Sequence, residues 1–339
     1  MRKRYWIAGA LGVAGAAVAA KMLRRPGDVE WSEHAHELHH AERSRFCEVD
    51  GVRVHYQEAG SLSAPPVLLI HGFTASNFVW NDVLVPIAES GLRVIAPDLV
   101  GFGFSGKPRE GEYTIEAQAR TIVGLMDRLG IESATLVGSS YGAAVAATCA
   151  LDYAERVSRL VLVDAVINDH ARRRPLLRLA ATPLLGDVLS PLMMGSRRLI
   201  HQQLKKGYAP QSRHLFTEQR IKAHHRPLAA ASTQRAALST LRRWRAGRIE
   251  EEAHRIQQPT LLIWGANDPV IPLAHGRRLF ELMPDSRLVV FRHCGHMPME
   301  EYPREFTEVL TDFCEHRRGR ELESMVHSIA AQMNRRLSE

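Results

Sequence analysis

A mostly parallel, doubly wound α/β sheet is predicted by three features of the sequence. Six short runs rich in Val, Ile and Leu recur along the chain, helical patterns separate them, and an extended hairpin precedes them. Parallel strands are covered by helices on both faces, so they read as continuous apolar runs rather than as an in–out alternation.

The hairpin spans residues 45–58 and turns at Asp50-Gly51, a pair that tolerates the positive backbone angles of a tight turn. The strand runs follow at residues 67–70, 94–96, 134–137, 160–163, 261–264 and 288–291. Between or after them, residues 76–89, 113–129, 141–154, 273–283 and 303–316 carry helical periodicity. One interval breaks the rhythm. Residues 167–255 hold helical patterns and no strand, too long a stretch for an ordinary connection, and are expected to form an inserted helical cap. The predicted organisation is therefore a body of residues 45–166 and 256–316 with the cap of 167–255 between its halves.

The ends of the chain carry their own expectations. Arg2-Lys3-Arg4 precede an uncharged run from Tyr5 to Ala20, and Pro26-Gly27 closes the segment. As a helix extended to Leu23, the run would span about 28 Å against a bilayer core of about 30 Å. Residues 1–25 are accordingly expected to be a membrane anchor on an unspecified side of the membrane. The alternative is a signal cleaved after Ala17-Val18-Ala19, which would make the protein secreted or periplasmic. Ala8, Gly12, Ala16 and Ala20 form a small-residue stripe suited to pairing two such helices. Residues 26–44 read as a solvated linker carrying His34, His36, His39 and His40. Leu322, Met325, Val326, Ile329, Met333 and Leu337 place one apolar face on an amphipathic helix over 317–339.

In a doubly wound sheet the ligand site lies beyond the carboxyl ends of the strands, so the residues there carry the chemistry. Gly138-Ser139-Ser140-Tyr141-Gly142 follows the 134–137 run and opens a helix. The two glycines permit a sharp strand-to-helix turn that exposes the Ser140 hydroxyl. Trp264-Gly265-Ala266-Asn267-Asp268-Pro269 places Asp268 in the loop after another strand, and Gly295-His296-Met297-Pro298 places His296 after the next. A serine hydroxyl near neutral pH needs a base within hydrogen-bond reach, and the base needs an acid to hold its tautomer. His71-Gly72-Phe73 follows residues 67–70, where the Phe73 N–H can join the Tyr141 N–H as an oxyanion hole. Asp164, at the end of the 160–163 run, is a rival for the acid. His293 is a rival for the base, but it lacks the glycine-before, proline-after setting of His296. Cys294 lies between the two histidines.

Together with Asp98-Leu99-Val100-Gly101-Phe102-Gly103-Phe104-Ser105, these motifs make residues 45–316 resemble the α/β-hydrolase superfamily, with 167–255 in the place of its cap. The resemblance implies Ser140 as nucleophile, His296 as base, Asp268 as acid and the Phe73 and Tyr141 N–H groups as oxyanion donors, with no cofactor and no metal. With the N-terminal segment, the chain is similar to the membrane-bound esterase, lipase and monoacylglycerol-lipase branch. The expected substrate is then a hydrophobic carboxylic ester. The alternative is carbon–carbon hydrolysis of a meta-cleavage product, and a non-catalytic binding protein on the same fold is a third reading. Serine in place of aspartate at the turn excludes epoxide and haloalkane hydrolysis through an alkyl-enzyme ester.

Composition narrows the rest. The 339 residues carry a net charge of +7, and the four cysteines have neither zinc-ligand nor redox-motif spacing. The charge is unevenly placed: residues 167–255 hold 18 Lys and Arg against six acids, whereas the body is acidic. So few acids make the cap a poor cradle for a substrate amine, which disfavours aminopeptidase chemistry. No nucleic-acid-recognition motif accompanies the basic excess. The N-terminal segment and the cap are instead expected to meet an anionic membrane surface.

Overall fold

The computed structural model describes residues 15–16, 19–20, 28, 30–35, 39–169 and 175–315. Eight strands in this range form one sheet: β1 (Ser44–Val49), β2 (Val52–Ala59), β3 (Pro66–Ile70), β4 (Arg93–Pro97), β5 (Ala134–Ser139), β6 (Val157–Val163), β7 (Thr260–Gly265) and β8 (Ser286–Phe291). Their spatial order is β1-β2-β4-β3-β5-β6-β7-β8. The hairpin β1–β2 pairs antiparallel with itself and with β4, and every other pairing is parallel.

The continuous apolar runs have a simple cause. Side chains alternate across a strand, and here both faces are buried. Leu68, Ile70, Leu160, Leu162, Leu262 and Trp264 belong to one core, while Val67, Leu69, Val161, Val163, Leu261 and Ile263 belong to the other. Helices α1 (Asn81–Glu89) and α11 (Pro303–Glu315) pack against each other on the second face. On the first lie α2 (Ile115–Arg128), α3 (Tyr141–Asp152) and α10 (Leu273–Leu282). Thr114 caps α2 by accepting the Ala117 N–H at 3.1 Å, which fixes where that helix begins. Helix α3 is fully buried along most of its length and rich in alanine, so it lies close under the strands.

Between β6 and β7 the described chain is helical: α4 (Pro175–Ala181), α5 (Leu185–Met193), α6 (Arg197–Gly207), α7 (Glu218–Ala229), α8 (Ala231–Arg242) and α9 (Gly247–Glu252). A separate apolar cluster of Tyr208, Phe216 and Ile221, with Leu204 and Met297 against it, joins this layer to the loop after β8.

Two expectations about the N-terminal region change. Among the described residues no helix is long and apolar enough to cross a membrane. The expected membrane-anchored localisation, with its secreted or periplasmic alternative, is therefore withdrawn. Of the expected anchor itself, only Gly15, Ala16, Ala19 and Ala20 are described, helical and exposed. The other residues of 1–25, His36 and the expected helix over 317–339 lie outside the described residues. The second change concerns residues 26–44, which are not simply solvated. Trp31 packs on Phe46, His55 and Phe104 with ring centroids 5.3–5.7 Å apart. The Gln57 amide donates to the His39 carbonyl at 2.9 Å, and Asp28 accepts from Ser232 of α8. An aromatic ring next to an open edge of the hairpin buries more area by docking than by staying in water.

Candidate active site

Each candidate residue sits at the carboxyl edge of the sheet. Ser140 ends β5 and caps α3 with φ +55° and ψ −113°, a strained conformation for a non-glycine residue. The strain is imposed by close packing. A Cβ on Gly138 would lie 2.3 Å from the Gly142 carbonyl oxygen, and one on Gly142 would lie 2.2 Å from that of Ile70. Both glycines are needed because the helix turns back directly onto the strands. The Ser140 N–H donates to the Val163 carbonyl at 2.9 Å, and its carbonyl accepts from Val166 at 3.1 Å. The turn is thus pinned by its own backbone, while Ser140 itself stays partly exposed.

Asp268, three residues beyond β7, and His296, five beyond β8, meet through Asp268 Oδ2 and His296 Nδ1 at 2.7 Å. Asp268 Oδ1 also accepts the N–H groups of Val270 at 2.6 Å and Ile271 at 3.0 Å. With Nδ1–H bonded to the carboxylate, the Nε2 lone pair of His296 is left free to accept a proton. Asp164 does not take that place: its Oδ1 accepts the Gly265 N–H at 2.9 Å instead. His293 is exposed, and among the described residues its backbone carbonyl accepts from Gln211 and Tyr302. Cys294 is fully buried, and burial, reinforced by the neighbouring Glu301, holds its thiol well above the usual range. It is an inert packing group.

The loop after β3 approaches Ser140 closely, since a Cβ on Gly72 would lie 3.2 Å from the Ser140 Cβ. His71 holds this loop. Its Nε2 accepts the Leu99 N–H at 2.9 Å, so its proton is on Nδ1, which donates to the Gly72 carbonyl at 2.8 Å. Burial lowers the His71 pKa, partly offset by Asp98 and by the Gly72 bond, and the ring stays neutral. Asp98 braces the next loop. It accepts the Asn77 N–H at 2.7 Å, the Phe104 N–H at 2.8 Å and His55 Nδ1 at 2.7 Å. Burial would raise the Asp98 carboxyl, but these partners, His55 first, hold it below its ordinary value. Among the described residues neither the Phe73 nor the Tyr141 N–H has a backbone acceptor.

Three contributors lie outside the residues singled out from the sequence. Trp244 of the helical layer packs on Phe73 at 5.4 Å and on Tyr141 at 4.9 Å, forming an aromatic wall beside both expected oxyanion donors. Glu301 grips the His296 loop. One of its oxygens accepts the Gly295 N–H at 2.9 Å and the Met297 N–H at 3.4 Å, and the other accepts the Ala209 N–H at 3.0 Å. Gly207 closes the contact by accepting the His296 N–H at 2.7 Å. A Trp or a Glu this far from a motif carries no pattern in the sequence, so only packing reveals it.

A cation has little to hold here. Ligand atoms of Asp164, Asp268 and His296 lie within 4.8 Å of one another, but the His–Asp contact has hydrogen-bond length and two backbone donors already occupy Asp268 Oδ1.

Residues 65–303 match the α/β-hydrolase fold family. The chain belongs to that family. It is 30% identical to a 2-hydroxy-6-oxo-6-phenylhexa-2,4-dienoate hydrolase of Burkholderia cepacia, covering 82% of this chain and 98% of the relative. The solved meta-cleavage product hydrolase of Pseudomonas fluorescens IP01 superposes with a TM-score of 0.67 at 28% identity, over 80% of this chain and 97% of the other. A solved membrane phospholipase A superposes with a TM-score of 0.69 at 26% identity, over 92% of this chain and 98% of the other. This α/β-hydrolase is thus a hydrolase by kinship, and its relatives include enzymes that cleave carbon–carbon bonds. The expected monoacylglycerol-lipase-like subtype is not what the family match establishes.

Proposed function

We propose that Ser140, His296 and Asp268 are the nucleophile, base and acid of a serine hydrolase, with residues 45–166 and 256–316 as the catalytic body and 167–255 as the cap. The observation that carries this reading is the 2.7 Å bond between Asp268 and His296, at the same carboxyl edge of the sheet as a Ser140 held at positive φ. Ser140 Oγ attacks a carbonyl carbon as His296 Nε2 takes its proton. The oxyanion is received by the Phe73 and Tyr141 N–H groups, with the dipole of α3 behind them.

The substrate class proposed is a 2-hydroxy-6-oxo-dienoate, as named for the relatives from Burkholderia cepacia and Pseudomonas putida. The substrate first ketonises, its 2-hydroxyl proton moving to C5. The C5–C6 bond next to the attacked ketone then breaks, and its electron pair passes into the resulting enone as a dienolate, which takes the proton held by His296. Water, activated by the same base, then cleaves the acyl-Ser140 ester. The aromatic wall of Trp244, Phe73 and Tyr141 suits a flat conjugated substrate. A carboxylic ester is the second reading, favoured by the 92% coverage of this chain by the phospholipase A structure. It needs no tautomerisation and expels an alkoxide rather than a carbanion.

Turnover of a coloured 2-hydroxy-6-oxo-dienoate and of a p-nitrophenyl ester chain-length series, each measured on the whole chain and on Ser140→Ala, tests both. The dienoate is expected to be turned over, and Ser140→Ala is expected to lower kcat at least about 10³-fold on whichever substrate is used. Cleavage of esters with no dienoate turnover would transfer the proposal to the second reading. Undiminished activity in Ser140→Ala would end both.

A further inference from the structure

Behind Asp268 lies a second buried carboxyl that the hydrolytic scheme leaves without a role. Asp164 ends β6 with no exposed surface and a φ of +43°. Such a conformation costs about 1–3 kcal/mol in a non-glycine residue and persists only where the surroundings hold it. The Asp164 N–H donates to the Ile263 carbonyl at 3.0 Å, and Oδ1 accepts the Gly265 N–H at 2.9 Å. Among the described residues the other oxygen, Oδ2, has no hydrogen-bond partner. What lies close is acid: a carboxyl oxygen of Asp164 and one of Asp268 are within 4.8 Å of each other.

Two ionised carboxylates this close in a buried site repel each other, and neither has a proton with which to bridge the gap. The pair therefore holds one proton, and the donors decide where it sits. Asp268 receives three, from Val270, Ile271 and His296. Asp164 receives one, from Gly265. Negative charge is best stabilised where the donors converge, on Asp268, which leaves the proton on Asp164. The remaining titratable neighbours agree. Asp268 comes from the loop after β7, and Glu301, His296 and the Cys294 thiol come from the segment after β8. Burial first, and then the charges of Asp268 and Glu301, push the Asp164 carboxyl well above the ordinary aspartate value.

We propose that Asp164 is a positioning residue, which holds the proton of the buried acid pair and donates it in a hydrogen bond to Asp268, fixing the carboxylate that orients His296. This rests on the triad reading of Ser140, His296 and Asp268. A neutral donor at this place orients Asp268 without adding a second negative charge that would keep His296 protonated and spoil it as a base.

Asp164→Asn keeps the shape and offers a permanent N–H donor, whereas Asp164→Ala removes the donor. The infrared spectrum of the native wild type at neutral pH is expected to show a protonated-carboxyl C=O stretch that is missing from Asp164→Asn. Stability against urea supplies a second readout. The native state keeps a proton that the unfolded chain releases above the ordinary aspartate value of 3.8. Wild-type stability should therefore fall relative to Asp164→Asn as the pH rises from roughly 5 to 8. In turnover, Asp164→Asn should remain within about threefold of wild-type kcat, and Asp164→Ala should lose about 30-fold in kcat with KM little changed.

No carboxyl band lost in Asp164→Asn, or a pH slope of stability identical to wild type, would overturn the proposal. So would wild-type kcat in a folded Asp164→Ala. If the alanine variant does not fold, the spectrum and the stability slope of the asparagine variant still decide. Ser140→Ala, assayed alongside, separates the two claims. An inactive Ser140→Ala with a wild-type-like Asp164→Ala sinks the positioning role alone. An active Ser140→Ala sinks the triad, and the infrared band then reports on the acid pair by itself.

Discussion

Ser140, the proposed nucleophile, shows how much of a side chain's setting is made by its neighbours. Its strained backbone is held because α3 lies so close to β3 that Gly142 has no room for a methyl group, the nearest atom being the Ile70 carbonyl oxygen. Gly142→Ala must therefore push the helix off the strand. It is expected to destabilise the native state by roughly 3 kcal/mol and to lower kcat through a displaced Ser140. Urea denaturation and single-turnover kinetics on the same preparation check both. His71 and Asp98 act in the same way on the loops at the mouth of the site, one as a neutral ring with a defined tautomer and the other as a carboxylate with three donors.

At the scale of elements, the decisive contact is between α7 and the short turn Pro298–Glu301 that follows His296. Glu300 is almost fully buried there, bonded by Tyr208, paired with Arg220 at 2.6 Å and with His224 at 3.4 Å. Arg220 also pairs with Asp82 of α1, so one guanidinium ties the helical layer to the body on two sides. Removing it strands a buried carboxylate. Arg220→Met is expected to cost roughly 3 kcal/mol, whereas Arg220→Met with Glu300→Gln should recover part of that. Hydrogen exchange should show residues 197–242 opening before the sheet in the single variant. Equal protection of the two regions would mean that the pair does not hold the layer.

For the whole molecule, part of the uneven charge finds its partner inside the chain. Two arginines of residues 167–255 pair with the acidic body, Arg220 with Asp82 and Glu300, and Arg248 with Asp152 at 2.6 Å. Acid should weaken this assembly in stages. Burial holds His71 below its ordinary value of 6.5, so the unfolded chain takes up that proton first and stability falls as the pH drops below about 6.5. Burial alone would raise Glu300, but His224, Arg220 and Tyr208 hold it below its ordinary 4.5. Its contribution is complete above that value and is lost as the pH falls through the depressed one. Urea midpoints across this range should show both limbs, and the first should flatten in His71→Asn.

By itself the sequence determined the sheet and the candidate residues at its edge. The runs at β3 to β8 are apolar on both faces because both are covered, and this pattern is local. The Gly-x-Ser-x-Gly turn and the loops carrying Asp268 and His296 are also local, since a sharp turn demands glycine wherever the chain goes afterwards. Only the tertiary structure decided between Asp268 and Asp164 as the partner of His296. Two buried aspartates at successive strand ends look alike in one dimension and differ in which backbone N–H groups converge on them. Only the fold brings Trp244 to the Phe73 and Tyr141 loop and Glu301 to the His296 loop, because a lone tryptophan or glutamate has no periodicity to read. Residues 26–44 carry the same lesson. Their polar composition describes a solvated stretch, yet Trp31 finds the rings of Phe46, His55 and Phe104, and composition cannot show where an apolar ring will find its complement.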